Sequence, residues 1–353
     1  MTSHERIKRM FEHREADRVP VLDSPWASTL ERWRREGLPA NVDYLDYFDL
    51  DRAGGLGLDV SPRYDSKVLE ETDSWTIATT SWGATIKSFK LESAGHEQLA
   101  FTVMDPDSWR RTRERITPDR NRIDWVKLKA DYKRQREAGT WMSLGFTFGF
   151  DITHNFIVGT ERLLIAMAEQ PEWVAEMFGY MLDVNIALSE MVLAEGYRFD
   201  EVCWCDDMGY KGKPFFSLGM YRNLLKPAQK RAVEWAHSKG MRARLHSCGD
   251  IRTFVPELVE IGMDMLNPLE VKAGMDPVAL KRQYGDRMGF HGGLNAALYS
   301  HPEELWMEMR RVVPVMKERG GYWLSSDHSV PSLVSLENFR EFVRLAKELG
   351  SYG

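Results

Sequence analysis

The sequence has few cysteines: Cys203, Cys205 and Cys248 are the only three in 353 residues. So few cysteines cannot form a disulfide framework for a chain of this length, and we expect a reducing compartment and a cytoplasmic location. The chain also lacks an uninterrupted apolar run of membrane-spanning length, and residues 1–10 lack the apolar core of a signal peptide. These absences predict a protein that functions without disulfides and without a membrane.

An excess of positive charge is also missing. The formal net charge is −6, so the chain has no general electrostatic attraction to nucleic acid. Hydrophobic residues make up 43% of the sequence and aromatic residues 11%, which is enough to bury a substantial core. The length allows one large domain or two ordinary ones, and we expect a single domain over residues 1–353.

Segments that predict strands alternate with segments that predict helices along most of the chain. The strand segments are 19–23, 54–60, 141–145, 200–206, 242–248, 263–268, 287–291 and 321–327. This alternation is typical of a parallel sheet, and eight such units predict a (β/α)8 barrel, the TIM-barrel fold. A doubly wound open sheet is the alternative, but no Gly-x-Gly-x-x-Gly follows an early strand.

Residues 61–135 interrupt this alternation. Residues 68–78 and 84–92 flank the turn-forming stretch Ser81-Trp-Gly83, a pattern that predicts a β-hairpin. The arginine cluster at 110–122 could dock an acidic partner, although a solvated, salt-bridged helix is the commoner explanation. We interpret residues 61–135 as an insertion, or cap, after the second strand of the barrel.

Polar residues collect at the carboxyl ends of the predicted strands. They are Asp23, Asp206, Asp207, His246, Cys248, Glu270, His291, Asp327 and His328. In a (β/α)8 barrel these strand ends converge on one mouth, where active sites are built. This distribution favours the barrel over the open sheet.

His246 and Cys248 form the strongest candidate for a metal site. They are two residues apart on a predicted strand, so their side chains face the same side. Imidazole and thiolate are ligands that zinc favours, and a catalytic zinc ion usually has three protein ligands and one open position. We predict His328 as the third ligand, with Glu270 and His291 as alternatives.

The other cysteines and the paired acids have simpler interpretations. Cys203 and Cys205 lie within a strand, and we interpret both as small, buried apolar residues. Asp206 and Asp207 are adjacent, so they cannot both face the mouth on a regular strand. We expect one of them to act on the substrate, together with Glu270, and the other to brace the turn.

The substrate-binding candidates are two polar and three aromatic residues. Asp23 and His291 stand at predicted strand ends and would contact the substrate. Trp141, Phe146 and Phe148 would form an aromatic rim at the mouth. Such a rim could stack on a macrocycle or an aryl ring, or merely pack beneath the insertion.

Several motifs occur in an order and spacing that point to one family. They are Asp17-Arg-Val-Pro-Val, Asp206-Asp-Met-Gly, Leu245-His-Ser-Cys-Gly-Asp250, Asn267-Pro-Leu-Glu270, Tyr284-Gly-Asp286, Gly292-Gly293, and Asp327-His328 with Pro331. Together they resemble the uroporphyrinogen decarboxylase superfamily, and within it the cobalamin-dependent methyltransferase branch. The resemblance covers nearly the whole chain and implies a (β/α)8 barrel.

The resemblance implies two chemistries. The decarboxylase is metal-free and holds its porphyrinogen with an arginine-bearing motif after the first strand; that motif is absent here, and Arg32 and Arg34 lie too far into the following helix. The methyltransferases hold zinc with a His-x-Cys pair and a distant Cys. His246 and Cys248 match the pair, and His328 lies near the position of the distant Cys.

The resemblance therefore implies zinc-dependent methyl transfer between a small methylated thiol or ether and a corrinoid (cobalamin) carried by a partner protein. Decarboxylation of a tetrapyrrole is the enzymatic alternative. A barrel that binds a corrinoid or tetrapyrrole without turnover is the non-enzymatic alternative. The sequence is also compatible with a homo-oligomer.

Overall fold

The computed structural model describes residues 1–90 and 96–353. Its strands are β1 Ala53–Gly57, β2 Val68–Glu71, β3 Trp75–Thr79, β4 Ala84–Phe89, β5 His96–Phe101, β6 Trp141–Phe146, β7 Glu201–Cys205, β8 Gly209–Tyr210, β9 Lys213–Pro214, β10 Arg242–His246, β11 Met265–Asn267, β12 Gly289–His291 and β13 Tyr322–Trp323. Seven of them form a parallel sheet in the order β1-β6-β7-β10-β11-β12-β13. The architecture is an α/β fold consistent with a TIM-like barrel.

Helices connect these strands and cover the outside of the sheet. They are α1 Ser3–Phe11, α2 Ala27–Arg35, α3 Tyr44–Tyr47, α4 Pro106–Glu114, α5 Trp125–Glu137, α6 Phe150–Ile152, α7 Thr160–Glu169, α8 Pro171–Ala194, α9 Leu218–Met220, α10 Lys226–Ser238, α11 Val255–Glu260, α12 Pro277–Tyr284, α13 Pro302–Met316 and α14 Leu336–Gly350. Short 3₁₀ and π segments lie between some of them.

The predicted first strand, residues 19–23, joins the two edges of the sheet without forming a regular strand. Val21 makes a parallel bridge to Leu324, just after β13. The Val21 carbonyl accepts a hydrogen bond of 3.0 Å from the Asp51 amide, just before β1. Pro20 has no N–H to donate, so the ladder on this segment stays short. Arg6 and Arg18 also bind the buried Asp51 carboxylate and fasten the segment in place.

Helix α1 seals the end of the sheet where the strands begin. Its apolar residues Ile7, Met10 and Phe11 are buried. The Phe11 ring stacks on Trp141, the first residue of β6, with ring centroids 5.3 Å apart. Packed side chains therefore fill the sheet interior at this end.

The segment between β1 and β6 contains an antiparallel sheet of four strands in the order β2-β3-β4-β5. The sequence predicted two strands here. The first predicted strand is divided by a turn at 72–74, and residues 91–92 of the second lie outside the described residues. The arginine cluster makes surface ion pairs, such as Arg113 with Glu176 on α8 at 2.6 Å.

Helix α8 is long and apolar enough to cross a membrane by length and composition, the one such helix in the described ranges. Half of its most apolar 18-residue window is buried inside the protein. The core helix of a soluble protein passes the same test, so this is weak evidence for a membrane span.

Candidate metal and substrate site

A cavity of about 580 Å³ opens at the carboxyl ends of the parallel strands. This volume lies within the range of small-molecule sites. The residues predicted at the mouth that line it are Asp23, His246, Cys248, His291, Asp327 and His328. The parallel sheet therefore brings together side chains that lie more than 300 residues apart in sequence.

Strand register places three polar side chains at one level of the cavity. His246 of β10 is the register partner of Cys205 on β7 and of Asn267 on β11. Residues paired in this way on parallel strands point to the same face of the sheet. Cys205, His246 and Asn267 therefore form one inward-facing layer.

A cluster of potential metal donors is centred on His246. One ligand atom from each of Cys205, Asp207 and His246 lies within 4.8 Å of the others. The Nε2 atom of His246 is 3.4 Å from Cys248 Sγ and 3.7 Å from Asp207 Oδ1. Cys205 Sγ is also 3.7 Å from Asp207 Oδ1.

These spacings suit a zinc ion. Neighbouring ligand atoms around a tetrahedral zinc are roughly 3.3–3.8 Å apart, given Zn–S bonds of about 2.3 Å and Zn–N bonds of about 2.0–2.1 Å. The three measured separations within the cluster fall in this range. Thiolate, imidazole and carboxylate are also the donor types that zinc accepts, so the residues present fit the ion in chemistry and in spacing.

The orientation of His246 is fixed by Asn267. The Nδ1 atom of His246 lies 2.7 Å from Asn267 Oδ1. The Asn267 amide nitrogen is oriented towards the His291 carbonyl at 3.4 Å, which leaves its oxygen to accept from the ring. Nδ1 therefore carries the proton and donates it, and the lone pair of Nε2 points at the cluster, as in metal-binding histidines.

Two loops hold Asp207 and Cys248 in contact. The Cys248 amide donates to Asp207 Oδ1 at 2.8 Å, and the Gly249 amide donates to Glu270 Oε2 at 2.6 Å. Gly249 has φ of +79°, and a Cβ atom there would lie 2.1 Å from the Gly209 carbonyl carbon. Only glycine fits this approach. Glu270 does not line the cavity, and the structure shows it bracing the loop.

The adjacent acids Asp206 and Asp207 point to different places, as the alternation of side chains along a strand predicts. Asp206 is fully buried and accepts hydrogen bonds from the Phe150 and Asp151 amides and from Gln229 Nε2. Burial raises the pKa of Asp206 to about 8. Asp206 therefore braces the loop after β6, and Asp207 is the acid at the donor cluster.

Cys205 is where the sequence-based interpretation was wrong. The side chain was expected to be buried and apolar, but it is exposed at the end of β7. Desolvation by the surrounding protein, together with nearby carboxylates, raises the pKa of the Cys205 thiol, and burial does the same for Cys248. A bound cation inverts this effect because it deprotonates a coordinating thiol. Nothing in the sequence gives the register of β7 against β10, so the proximity of Cys205 to His246 could not be predicted.

The predicted third ligand, His328, lies in the cavity wall but outside the donor cluster. Its side chain is exposed, and its ring lies 5.8 Å from that of Trp26. The group of close donors contains Cys205 and Asp207 in its place. Cys205 and Asp207, which lie in the cluster with His246, are thus two other candidates for the third ligand.

Asp23 lines the cavity on the segment that joins the sheet edges. Its carboxylate accepts hydrogen bonds from the Ser326 amide at 3.0 Å and from the Ser326 hydroxyl at 2.8 Å. Burial raises the pKa of Asp23 to about 6. Near neutral pH this side chain can present either a carboxylate or a carboxylic acid to a ligand.

His291 and Arg244 also line the cavity. The imidazole of His291 is 5.0 Å from the Trp323 ring, and its Nδ1 atom is buried without a partner in the described part of the chain. Burial, with the nearby Arg244 and His246, holds the pKa of His291 well below its usual range. Arg244 was not singled out from the sequence, although its alternation with His246 on one strand could have indicated it.

The predicted aromatic rim does not exist. Trp141 is inside the sheet at the opposite end, packed on Phe11. Phe146 faces outward onto Trp235 of α10 at 5.3 Å, and Phe148 packs on Trp204. None of the three predicted residues lines the cavity, because one stands at the start of β6 and the others point away from the sheet interior.

Comparisons with known proteins agree with this fold. The sequence model of the uroporphyrinogen decarboxylase (URO-D) family matches residues 103–349. Among solved structures, a methyltransferase from Methanosarcina mazei is 15% identical, aligns over 99% of both chains and gives a TM-score of 0.67. An endo-1,4-beta-xylanase from Penicillium canescens aligns over 60% of this chain and 70% of its own, at 10% identity, with a TM-score of only 0.35. No curated protein sequence matches the chain. The family model spans well over half of the sequence, and the chain therefore belongs to the uroporphyrinogen decarboxylase family.

Proposed function

We propose that the protein is a zinc-dependent methyltransferase that moves a methyl group between a small thiol or methyl ether and a corrinoid. The observation that carries this proposal is the donor cluster of Cys205, Asp207 and His246 at the strand ends, with Cys248 Sγ 3.4 Å from His246 Nε2. Such a set of soft and borderline donors, opening onto a cavity, is typical of catalytic zinc sites. The fold shared with a methyltransferase supports the choice of reaction.

The roles of the protein residues follow from their contacts. His246 and Cys248 would hold the ion, and Cys205 or Asp207 would supply the third donor. Asn267 keeps the donor nitrogen of His246 directed at the site, and Glu270 holds the loop that carries Cys248. When bound, zinc would act as a Lewis acid that lowers the pKa of a thiol or improves a leaving alkoxide. Asp207 or His328 would orient the substrate.

The cavity favours a small substrate over a porphyrinogen. A porphyrinogen with several carboxylates needs several basic side chains, but Arg244 is the only arginine or lysine among the described residues that line this cavity. Arg32 and Arg34 bind the backbone carbonyl groups of neighbouring loops. We also propose that a separate partner protein brings the corrinoid to the mouth, and that both proteins are cytoplasmic.

Metal content tests the proposal first. We expect dialysed protein to retain zinc in stoichiometric amount, and His246→Ala and Cys248→Ala to lose it with unchanged circular dichroism. His301→Ala is the matched control, because His301 is exposed and makes its side-chain hydrogen bond to Ser300. Absence of zinc from the wild type, or its retention in both cluster variants, would overturn the zinc-dependent mechanism.

Methyl transfer tests the reaction itself. Zinc-loaded protein mixed with methylcobalamin and a simple thiol such as 2-mercaptoethanol should convert methylcobalamin to the demethylated corrinoid, and His246→Ala should not. Conversion of a porphyrinogen without any metal would establish the decarboxylase instead. Tight corrinoid or tetrapyrrole binding with no product in either assay would establish a carrier.

A further inference from the structure

A single guanidinium lies in the cavity below the donor cluster. Arg244 precedes His246 by two residues on β10, so both side chains face the interior and their Cα atoms are about 6.6 Å apart along the strand. The Arg244 side chain is 15% exposed and contributes to the lining of the cavity. A ligand bound at the donor cluster therefore lies close to the positively charged guanidinium of Arg244.

Glu201 binds two nitrogens of the Arg244 guanidinium and leaves the third, Nη1, available. Glu201 Oε1 accepts hydrogen bonds from Arg244 Nε at 3.0 Å and from Nη2 at 2.6 Å. The Trp323 ring supports the guanidinium at 5.2 Å from its centroid. The Nη1 atom makes no hydrogen bond with the described residues. Glu201 is fully buried, so it orients the arginine without reaching the cavity itself.

His291 supplies a second hydrogen-bond donor to this part of the cavity. His291 lies against the same Trp323 ring as Arg244, and its lowered pKa keeps the imidazole neutral. A neutral imidazole still carries one N–H that can donate. The acids that line the cavity have partners of their own: Ser326 binds the Asp23 carboxylate, the Val271 and Ala296 amides bind Asp327, and Arg6 and Arg18 bind Asp51. This part of the cavity thus presents hydrogen-bond donors from His291 and from the positively charged Arg244.

We propose that Arg244, with His291, forms a binding site for the carboxylate of the substrate. The substrate would then be a short carboxylic acid whose methyl-bearing or methyl-accepting sulfur or oxygen sits at the cluster; this choice of reacting atom rests on the proposed function. The planar fork of arginine matches a carboxylate in geometry and charge. A single arginine suits one carboxylate, in contrast to a polycarboxylate.

Matched acid and amide probes test this site. In metal-free protein, propionate should bind at least tenfold more tightly than propionamide, measured by calorimetry in a carboxylate-free buffer. With zinc bound, 3-mercaptopropionate should show the same preference over 3-mercaptopropionamide. Arg244→Met should abolish the preference, whereas Arg242→Met should keep it, because Arg242 on the same strand pairs with Asp264 outside the cavity.

Further variants separate binding from folding. Removal of Arg244 leaves Glu201 buried without its cation, so Arg244→Met is also made together with Glu201→Gln. Arg244→Lys keeps the charge without the fork and should retain part of the preference. Equal binding of acid and amide by the wild type, with or without zinc, overturns the carboxylate site. A preference for propionate in a protein that binds no zinc upholds the site and refutes the metal mechanism alone.

Discussion

Asn267 offers a sharp test of how the metal site is supported. Its Oδ1 atom accepts the only hydrogen bond that His246 Nδ1 makes with described residues, at 2.7 Å. Asn267→Leu removes this acceptor and keeps a side chain of similar branched shape. The imidazole can then rotate or take the other tautomer, which turns the Nε2 lone pair away from the cluster.

The expected loss can be estimated from that one contact. Removing a partner that orients a metal-binding histidine typically costs about 10–100-fold in metal affinity, which corresponds to about 1.4–2.7 kcal/mol. Asn267→Asp is the matched variant, since a carboxylate at the same place accepts from Nδ1 more strongly and should preserve or increase zinc affinity. Competition with a chelator of known zinc affinity measures both changes.

Normal folding of Asn267→Leu together with wild-type zinc affinity would contradict this role of Asn267. That result would mean that His246 is oriented by other contacts or does not bind the ion. The two possibilities separate with His246→Ala, which lowers zinc affinity only if the imidazole is a ligand.

Three further changes should have distinct effects. Asp51→Ala removes a fully buried carboxylate that binds Arg6, Arg18 and the Val21 amide and should lower the free energy of unfolding by about 3–5 kcal/mol, and an unchanged urea midpoint would contradict this. Burial raises the pKa of Asp206 to about 8, so the folded state keeps a proton that the unfolded state releases above about pH 4. The free energy of unfolding should therefore fall as pH rises from about 4 to about 8, and Asp206→Asn should remove this part of the slope in urea titrations. Gly249→Ala should lower zinc affinity at least tenfold because its Cβ would collide with the facing loop; Gly240→Ala, which has a similar φ but open space, should bind zinc normally in the same chelator assay.

Much of the fold follows from short-range patterns in the sequence. The alternation of apolar strands and amphipathic helices identified seven segments that contain parallel strands. As alternation requires, the adjacent acids at 206–207 lie in different places, Asp206 buried and Asp207 in the donor cluster. Residues 19–23 form bridges in place of a regular strand because Pro20 cannot donate to the ladder.

The site was less predictable because it depends on register. His246 and Cys248 share one strand and its following turn, so their proximity can be derived from spacing alone. Cys205 reaches them only because β7 pairs with β10 in one register, and a shift of one residue would point its side chain outward. Phe146 and Phe148 were misplaced for the same reason, since the position at which β6 ends decides which face each ring occupies.

The identity of the third donor decides the charge of the site. Two thiolates, from Cys205 and Cys248, would balance the charge of a zinc ion, whereas one thiolate with two imidazoles would leave a net positive charge. A neutral donor set makes a bound substrate sulfur more nucleophilic, which suits acceptance of a methyl group by a thiol. A positive set withdraws more electron density and suits cleavage of a methyl ether. Because Cys205 and not His328 lies in the cluster, the proposed function predicts a thiol as the methyl acceptor.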